Sequence, residues 1–290
     1  MMKKKQVIGL LILLTGIIIL ATPFSFMLKD DWTQYKNGKA YQIYQSRQAS
    51  QLEKRRQALE DAEVSSNGVQ DIFRQDKTEA AKQISPYSSI FDTNKMVGRM
   101  SIPVLGQNFD LYLDADYEKL LKGVATLVGT SAPLGIKGQR PIIAGHRINY
   151  NGMSFYFLPS LKKGDRIYIS ILDQNLEYEV TDSQIIGEYE TEKLAPISDK
   201  DMITLMTCVN APSYNQRLLV NAKRVTSNSS NHPTTAGLGE FIKNKKVPFS
   251  FKLQRLLPYL IVLICLLGLL FFGRKLWQVL HSKSTKEDAR

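Results

Sequence analysis

The stretch Arg166-Ile-Tyr-Ile-Ser-Ile-Leu-Asp-Gln-Asn-Leu-Glu-Tyr-Glu-Val180 carries the strongest structural pattern in this chain. Ile167, Ile169 and Ile171 alternate with polar or aromatic residues, Asp173-Gln174-Asn175 interrupts, and Leu176, Tyr178 and Val180 resume the alternation. Side chains of a strand point to opposite faces in turn, so each run presents one apolar face, and the polar break folds the two into a hairpin. Working outward, Met100-Ser-Ile-Pro, Pro141-Ile-Ile-Ala, Ile203-Thr-Leu-Met-Thr and Leu218-Leu-Val-Asn-Ala read as further short strands. Many short strands separated by Gly and Pro turns predict a mainly β domain closed into a barrel, over residues 96–226.

Upstream, Asp31 to about Gln83 is polar, with Leu52 and Leu59 on a weak helical period and good helix formers around Gln51–Ala62. A break at Ser65-Ser66-Asn67-Gly68 follows. This predicts a helical stalk, or a helix packed on the barrel. Downstream, Thr226–Gly239 is rich in Ser, Thr and Asn and reads as a flexible linker.

The chain has 290 residues and a formal charge of +11. Between Met96 and Thr226, 14 Lys plus Arg balance 14 Asp plus Glu, so the whole excess lies outside the barrel. It gathers beside two uncharged apolar runs, Gln6–Leu28 and Leu256–Gly273. A helix of about 20 apolar residues crosses the hydrocarbon of a bilayer. Lys3, Lys4 and Lys5 precede the first run, and Ala21-Thr22-Pro23-Phe24 is a poor cleavage site, so a retained anchor is expected. The expected organisation is a cytoplasmic N-terminus (1–5), a transmembrane anchor (6–28), an extracellular helical or lid-like segment (29–95) and the barrel (96–226). A linker (227–255), a second transmembrane helix (256–273) and a cytoplasmic tail (274–290) complete it. The catalytic part of this two-pass membrane protein would then lie outside the cell. No aromatic-basic stripe accompanies the positive charge, so no nucleic-acid partner is expected.

Two cysteines exclude a disulfide framework and a multi-cysteine zinc site. The three histidines are far apart, without metal-ligand spacing, and no metal or cofactor is expected. Cys265 lies within an apolar span and reads as a filler. Cys208 ends the strand Ile203–Thr207, which puts a thiol at the barrel rim. A small buried residue is the plain reading of a lone cysteine. A catalytic one needs a base or cation beside it. His232 is in the linker and His281 lies beyond the second span. His146, after Ile142-Ile-Ala-Gly, is the histidine of the folded external segment. Arg217 begins a strand nine residues after Cys208, a spacing that returns the chain to the same rim. The three side chains would supply a nucleophile, a proton shuttle and a cation for a developing oxyanion.

Thr204-Leu205-Met206-Thr207-Cys208 followed by Arg217, with Gly145-His146 upstream, resembles the sortase signature. Leu127-Val-Gly-Thr-Ser131, Pro133 and Gly135 are similar to the stretch that precedes the sortase histidine. The resemblance covers about Met96–Val225. It implies an eight-stranded barrel and a cysteine transpeptidase that cuts a Leu-Pro-x-Thr-Gly-like sorting signal. It further implies that Cys208 attacks the Thr–Gly carbonyl, His146 protonates the leaving amine and Arg217 steadies the substrate, with Leu205 and Thr207 as substrate-binding positions. The second span resembles class C, pilus-polymerising sortases of Gram-positive bacteria, whose acceptor is a pilin lysine. The expected partners are therefore pilins or surface proteins with C-terminal sorting signals. Wall anchoring through a peptidoglycan amine, a Cys–His hydrolase and a non-enzymatic assembly scaffold are the alternatives. Class C enzymes usually carry an Asp-Pro-aromatic lid over the cysteine. That tripeptide is missing here, and Tyr87, Phe91 and Asp92 are the substitutes just before the barrel. The stretch Ser85–Asp92 is expected to cover the cleft loosely and leave Cys208 open to solvent.

Overall fold

A computed structural model describes residues 2–62, 69, 71–73, 87–148, 154–225, 238–243, 245 and 247–281. They form two compact units, Thr33–Val247 and the pair Met1–Trp32 with Pro248–Arg290.

Eight strands make the core of the first unit. They are β1 (Gly98–Ile102), β2 (Gln107–Tyr112), β3 (Val124–Thr126), β4 (Ile142–Ala144), β5 (Arg166–Ile171), β6 (Gln174–Gly187), β7 (Met202–Val209) and β8 (Gln216–Arg224). They close in the order β1-β2-β3-β4-β7-β8-β6-β5, so each of these strands has a neighbour on both sides. The pairs β2–β3 and β4–β7 are parallel. Ile167, Ile169, Ile171, Leu176, Tyr178 and Val180 are all buried, as their alternation predicts.

The hairpin turns earlier than its polar break suggests. Ile171 stands opposite Gln174, so the turn is Leu172-Asp173, with Leu172 in the left-handed region at φ 51°. Asn175 serves as a cross-strand partner instead, accepting a 2.6 Å hydrogen bond from the Ser170 hydroxyl. Two further strands lie outside the expected set: β3, and β2, whose Phe109 and Leu111 alternate with polar residues and are buried. β3 is three residues long, and β2 buries the polar side chains of Gln107 and Asp110.

The buried Asp110 explains how the N-terminal helices attach. Helix α1 is Met2–Arg47 and α2 is Ala49–Glu60. The Asp110 carboxylate pairs with Arg99 and accepts a 2.9 Å hydrogen bond from Asn37 of α1, while Arg99 donates to the Gln34 carbonyl at 3.0 Å. The Tyr41 hydroxyl donates to the Val97 carbonyl and accepts from the Leu172 amide. On α2, Leu52 and Leu59 are buried, and Arg56 reaches Asp173 at 3.1 Å. α2 buries only these two leucines, seven residues apart, and adds the Arg56–Asp173 pair, which is why its hydrophobic period is weak. Removing one partner of a buried ion pair strands the other in low dielectric. Asp110→Ala is therefore expected to cost about 3–5 kcal/mol of stability, read as a lowered urea midpoint.

Past the barrel, helix α4 (Leu238–Lys243) lies within the stretch expected to be linker. Phe241 is buried against Gly106, where a Cβ would stand 1.9 Å from its ring and where φ is +61°. One aromatic residue thus pins this segment to the barrel. Residues 227–237 of the expected linker lie outside the described residues.

In the second unit, α1 and helix α5 (Phe249–His281) are each long and apolar enough to cross a membrane. α5 begins at Phe249, so residues 249–255, expected as linker, are helical; the Pro248 carbonyl accepts from the Phe251 and Lys252 amides. Thr15, Thr22 and Ser25 turn their hydroxyls onto carbonyls of their own helix, at Leu11, Ile18 and Ala21. Inside hydrocarbon such groups have no water to bond. Asp31 accepts from both Arg255 and Tyr259, at 3.1 and 2.8 Å.

Candidate active site

Pairing in the sheet gathers the three expected side chains. β4 runs parallel to β7 with Ala144 beside Met206, and the Gly145 amide donates to the Met206 carbonyl at 3.1 Å. His146 and Cys208 each lie two residues beyond that pair, at the same end of the barrel. β7 is antiparallel to β8, with Cys208 directly opposite Arg217. Gly145 is required by a close approach: a Cβ there would stand 2.7 Å from the Phe155 ring. The Phe155 amide in turn donates to the His146 carbonyl at 2.8 Å, fixing the histidine backbone.

The Arg217 guanidinium is 1% exposed and richly bonded. Its Nε donates to the Asp71 carboxylate at 2.5 Å, and Nη2 donates to Glu188 at 3.3 Å. Nη1 donates to the carbonyls of Tyr214 and Gln216, at 2.7 and 3.1 Å. The Phe73 ring lies 5.8 Å from the guanidinium and 5.6 Å from the His146 ring, so it sits against both. On its other side His146 meets Tyr117 at 5.5 Å. Tyr117 opens the short helix α3 (Tyr117–Lys122), capped by Asp116. Val69, Ile72 and Phe73 also pack on the buried cluster that includes Ala144, Ile186 and Met206.

Asp71-Ile72-Phe73 therefore covers this end of the barrel. It has the acid and the aromatic residue of the class C tripeptide at the same spacing, with Ile in place of Pro. Relaxing the central position would have found it in the sequence. Tyr87 lies elsewhere, fully buried, its hydroxyl accepting from the Ala132 amide at 2.9 Å. Arg55 sits 5.9 Å over the Phe91 ring, and Asp92 accepts from the Asn94 amide and pairs with Lys95. Ser85 and Pro86 lie outside the described residues. Cys208 is half-buried rather than open. Leu205 and Thr207 are fully buried, and the Thr207 hydroxyl donates to the Gly145 carbonyl at 2.8 Å. Thr207 thus holds β7 against the histidine segment. Cys265 is buried in α5.

Burial pushes the Cys208 thiol up to about 11; Arg217 opposite it pulls the other way, and Asp71 and Glu188 add to the rise. Burial also holds the His146 imidazole below the ordinary histidine range. Near neutral pH this end of the barrel therefore holds Cys208 as a thiol and His146 as a neutral imidazole. Alkylation needs the thiolate, which at pH 7.5 is about one molecule in three thousand for such a thiol. Carbamidomethylation of Cys208 is accordingly expected to speed up about tenfold per pH unit between 7 and 10, levelling only near 11. A plateau near pH 8 would contradict this. The rate is read by mass spectrometry on the Cys208 peptide, which separates it from Cys265.

A thiol, an imidazole and a guanidinium at neighbouring strand ends can carry acyl transfer. The comparisons with known proteins agree. The sortase domain matches residues 100–225. Sortase C-3 of Streptococcus pneumoniae is 31% identical with a TM-score of 0.56, and the alignment covers 74% of this chain and 98% of that one. The chain belongs to the sortase family. A second Streptococcus pneumoniae structure, of a Sortase C studied for its pilin substrate specificity, gives a TM-score of 0.59 at 27% identity, covering 66% of this chain and 97% of that one. Sortase A of Listeria monocytogenes is 29% identical over 204 residues, 70% of this chain and 84% of that protein. This sortase is a cysteine transpeptidase built on an eight-stranded barrel.

Proposed function

We propose that Cys208 is the nucleophile, His146 the proton shuttle and Arg217 the oxyanion or substrate cation of this sortase. The observation that carries the assignment is the convergence of all three on one barrel end, with Cys208 in register with Arg217. The thiol gives its proton to His146, and the thiolate attacks the Thr carbonyl carbon of a Leu-Pro-x-Thr-Gly-like signal. Arg217 donates to the oxygen that becomes negative. The Thr–Gly C–N bond breaks, the His146 imidazolium protonates the departing amine, and a thioester to Cys208 remains. An acceptor amine then attacks the same carbon, His146 takes its proton, and the C–S bond breaks to restore the thiolate.

The acceptor in this reading is a lysine side chain of a pilin. The Sortase C likenesses, the second apolar helix and the acid-x-aromatic cover all support it. The chain would cross the membrane twice, with its termini in the cytoplasm and its barrel outside. The Listeria relative, a Sortase A, favours wall anchoring as the second reading. One competition separates them. The full chain in detergent is given a sorting-signal peptide with equal amounts of a lysine-bearing pilin domain and a peptidoglycan-type peptide amine. Pilus assembly predicts an isopeptide bond to the pilin lysine. Product on the peptide amine alone would assign wall anchoring.

The cover forms part of the proposal. Asp71 takes the Nε position of Arg217 that a substrate oxygen would need, and Phe73 fills the space between Arg217 and His146. In this reading the structure is the closed, self-inhibited state, and substrate must displace Asp71, Ile72 and Phe73.

A further inference from the structure

We propose that Glu188 is a positioning residue for this reaction: it holds the Nη2 side of Arg217 so that the Nε edge stays aimed at the substrate oxygen after Asp71 withdraws. The inference rests on the reading of Arg217 given above.

Two carboxylates share the guanidinium, and they sit on different parts of the chain. Asp71 belongs to the cover, Asp71-Ile72-Phe73. Glu188 belongs to the barrel: it directly follows β6, whose Ile186 and Gly187 stand opposite Arg217 and Gln216. Its amide donates to the Asn215 carbonyl at 3.1 Å. The Gly187 amide donates to the Glu190 carboxylate at 2.7 Å, and Glu190 pairs with Lys193 at 2.6 Å, which fixes the turn. Nη1 meets only neutral carbonyls, those of Tyr214 and Gln216. When the cover lifts, Arg217 loses Asp71 and keeps Glu188. A guanidinium that has lost one carboxylate can turn unless its other edge is held. Glu188 meets that need, because the bond it accepts sets the plane of the fork and its charge stays with the barrel. The charged or titratable groups around it are Arg217 on β8, Asp71 on the cover and Cys208 on β7, with His146 across the Phe73 ring.

The test uses the full chain in detergent with the cover disabled by Asp71→Ala and Phe73→Ala. Glu188→Ala and Glu188→Gln are added separately, the second keeping an acceptor oxygen without the charge. In Glu188→Ala, kcat for a sorting peptide should fall about tenfold with KM changed less than about threefold, because an orienting contact acts on the reacting geometry. Glu188→Gln should recover most of kcat. Both should move the pH–rate curve for Cys208 alkylation down by about half a unit, as a nearby negative charge is gone. The alkylation curve needs no peptide. If the parent cuts no sorting peptide, the substrate reading fails and the positioning role falls with it, whereas a working parent whose kcat survives Glu188→Ala overturns the role of Glu188 alone. An unmoved curve overturns the proposal, as does a Glu188→Ala kcat within twofold of the parent or a Glu188→Gln kcat as low as that of Glu188→Ala.

Discussion

Replacing Cys208 with alanine is expected to abolish acyl transfer and leave the barrel folded. The side chain is half-buried at the end of β7, so losing one sulfur atom opens little new space in the core. No other thiol can take over, because Cys265 is buried in α5. Loss of a covalent nucleophile removes a reaction route rather than a single contact, so turnover should drop by about ten-thousandfold or more. His146→Ala should lose nearly as much, since residues acting as a unit are not additive. Arg217→Ala should also inactivate the enzyme, with a loss of stability besides, because it leaves the buried Asp71 carboxylate without its cation. The measurements are the rate of sorting-peptide cleavage and thermal unfolding of the same samples. Retained transpeptidation in a folded Cys208→Ala chain would remove Cys208 from the mechanism. Cys265→Ala should leave the rate unchanged.

The second large effect runs the other way. Replacing Asp71 and Phe73 with alanine is expected to raise both the alkylation rate of Cys208 and the rate of peptide cleavage. Two causes act together. The Asp71 carboxylate helps to push the thiol up, so its removal increases the thiolate at a given pH. Phe73 lies against both His146 and Arg217, so its removal opens the space between them. If the cover is shut 99% of the time, its loss speeds labelling about a hundredfold. The expected rise at pH 7.5 is at least about tenfold, measured by mass on the Cys208 peptide. Equal labelling rates would show that Asp71 and Phe73 do not gate the thiol. Asp71→Asn separates the causes: it keeps an acceptor for Nε without the charge, so it should raise labelling less than the double replacement.

The catalytic end of the barrel was legible in the sequence because its signals are local. Ile203–Cys208 is a short run of β-branched and apolar residues, and the nine-residue return to Arg217 is short enough to fix its partner. The hairpin of β5 and β6 was legible for the same reason, though its turn was misplaced by one or two residues. Leu172 adopts a left-handed conformation that a leucine does not advertise. β3 is too short to show a period, and in β2 the alternation of Phe109 and Leu111 tells only half of what is buried. Asp110 looks like a surface residue until Arg99 and Asn37 are placed beside it. The cover was missed because it was sought as a fixed tripeptide next to the barrel. What matters physically is a carboxylate that can reach Arg217 and an aromatic ring two residues on, and both lie well upstream of β1. Phe241 behaves similarly: one buried aromatic in a polar stretch has no period to reveal it.

The most direct measurement is the mass of the enzyme caught in mid-reaction. The full chain with Asp71→Ala and Phe73→Ala is mixed with excess Leu-Pro-x-Thr-Gly-like peptide without an added amine, quenched in acid within seconds, and analysed intact and after digestion. The expected result is a mass increase equal to the peptide up to its threonine. It should map to the Cys208 peptide, disappear with hydroxylamine as the threonine hydroxamate, and be missing in the Cys208→Ala chain. Cleavage of the peptide with no adduct on Cys208, or with an adduct on another residue, would contradict the mechanism.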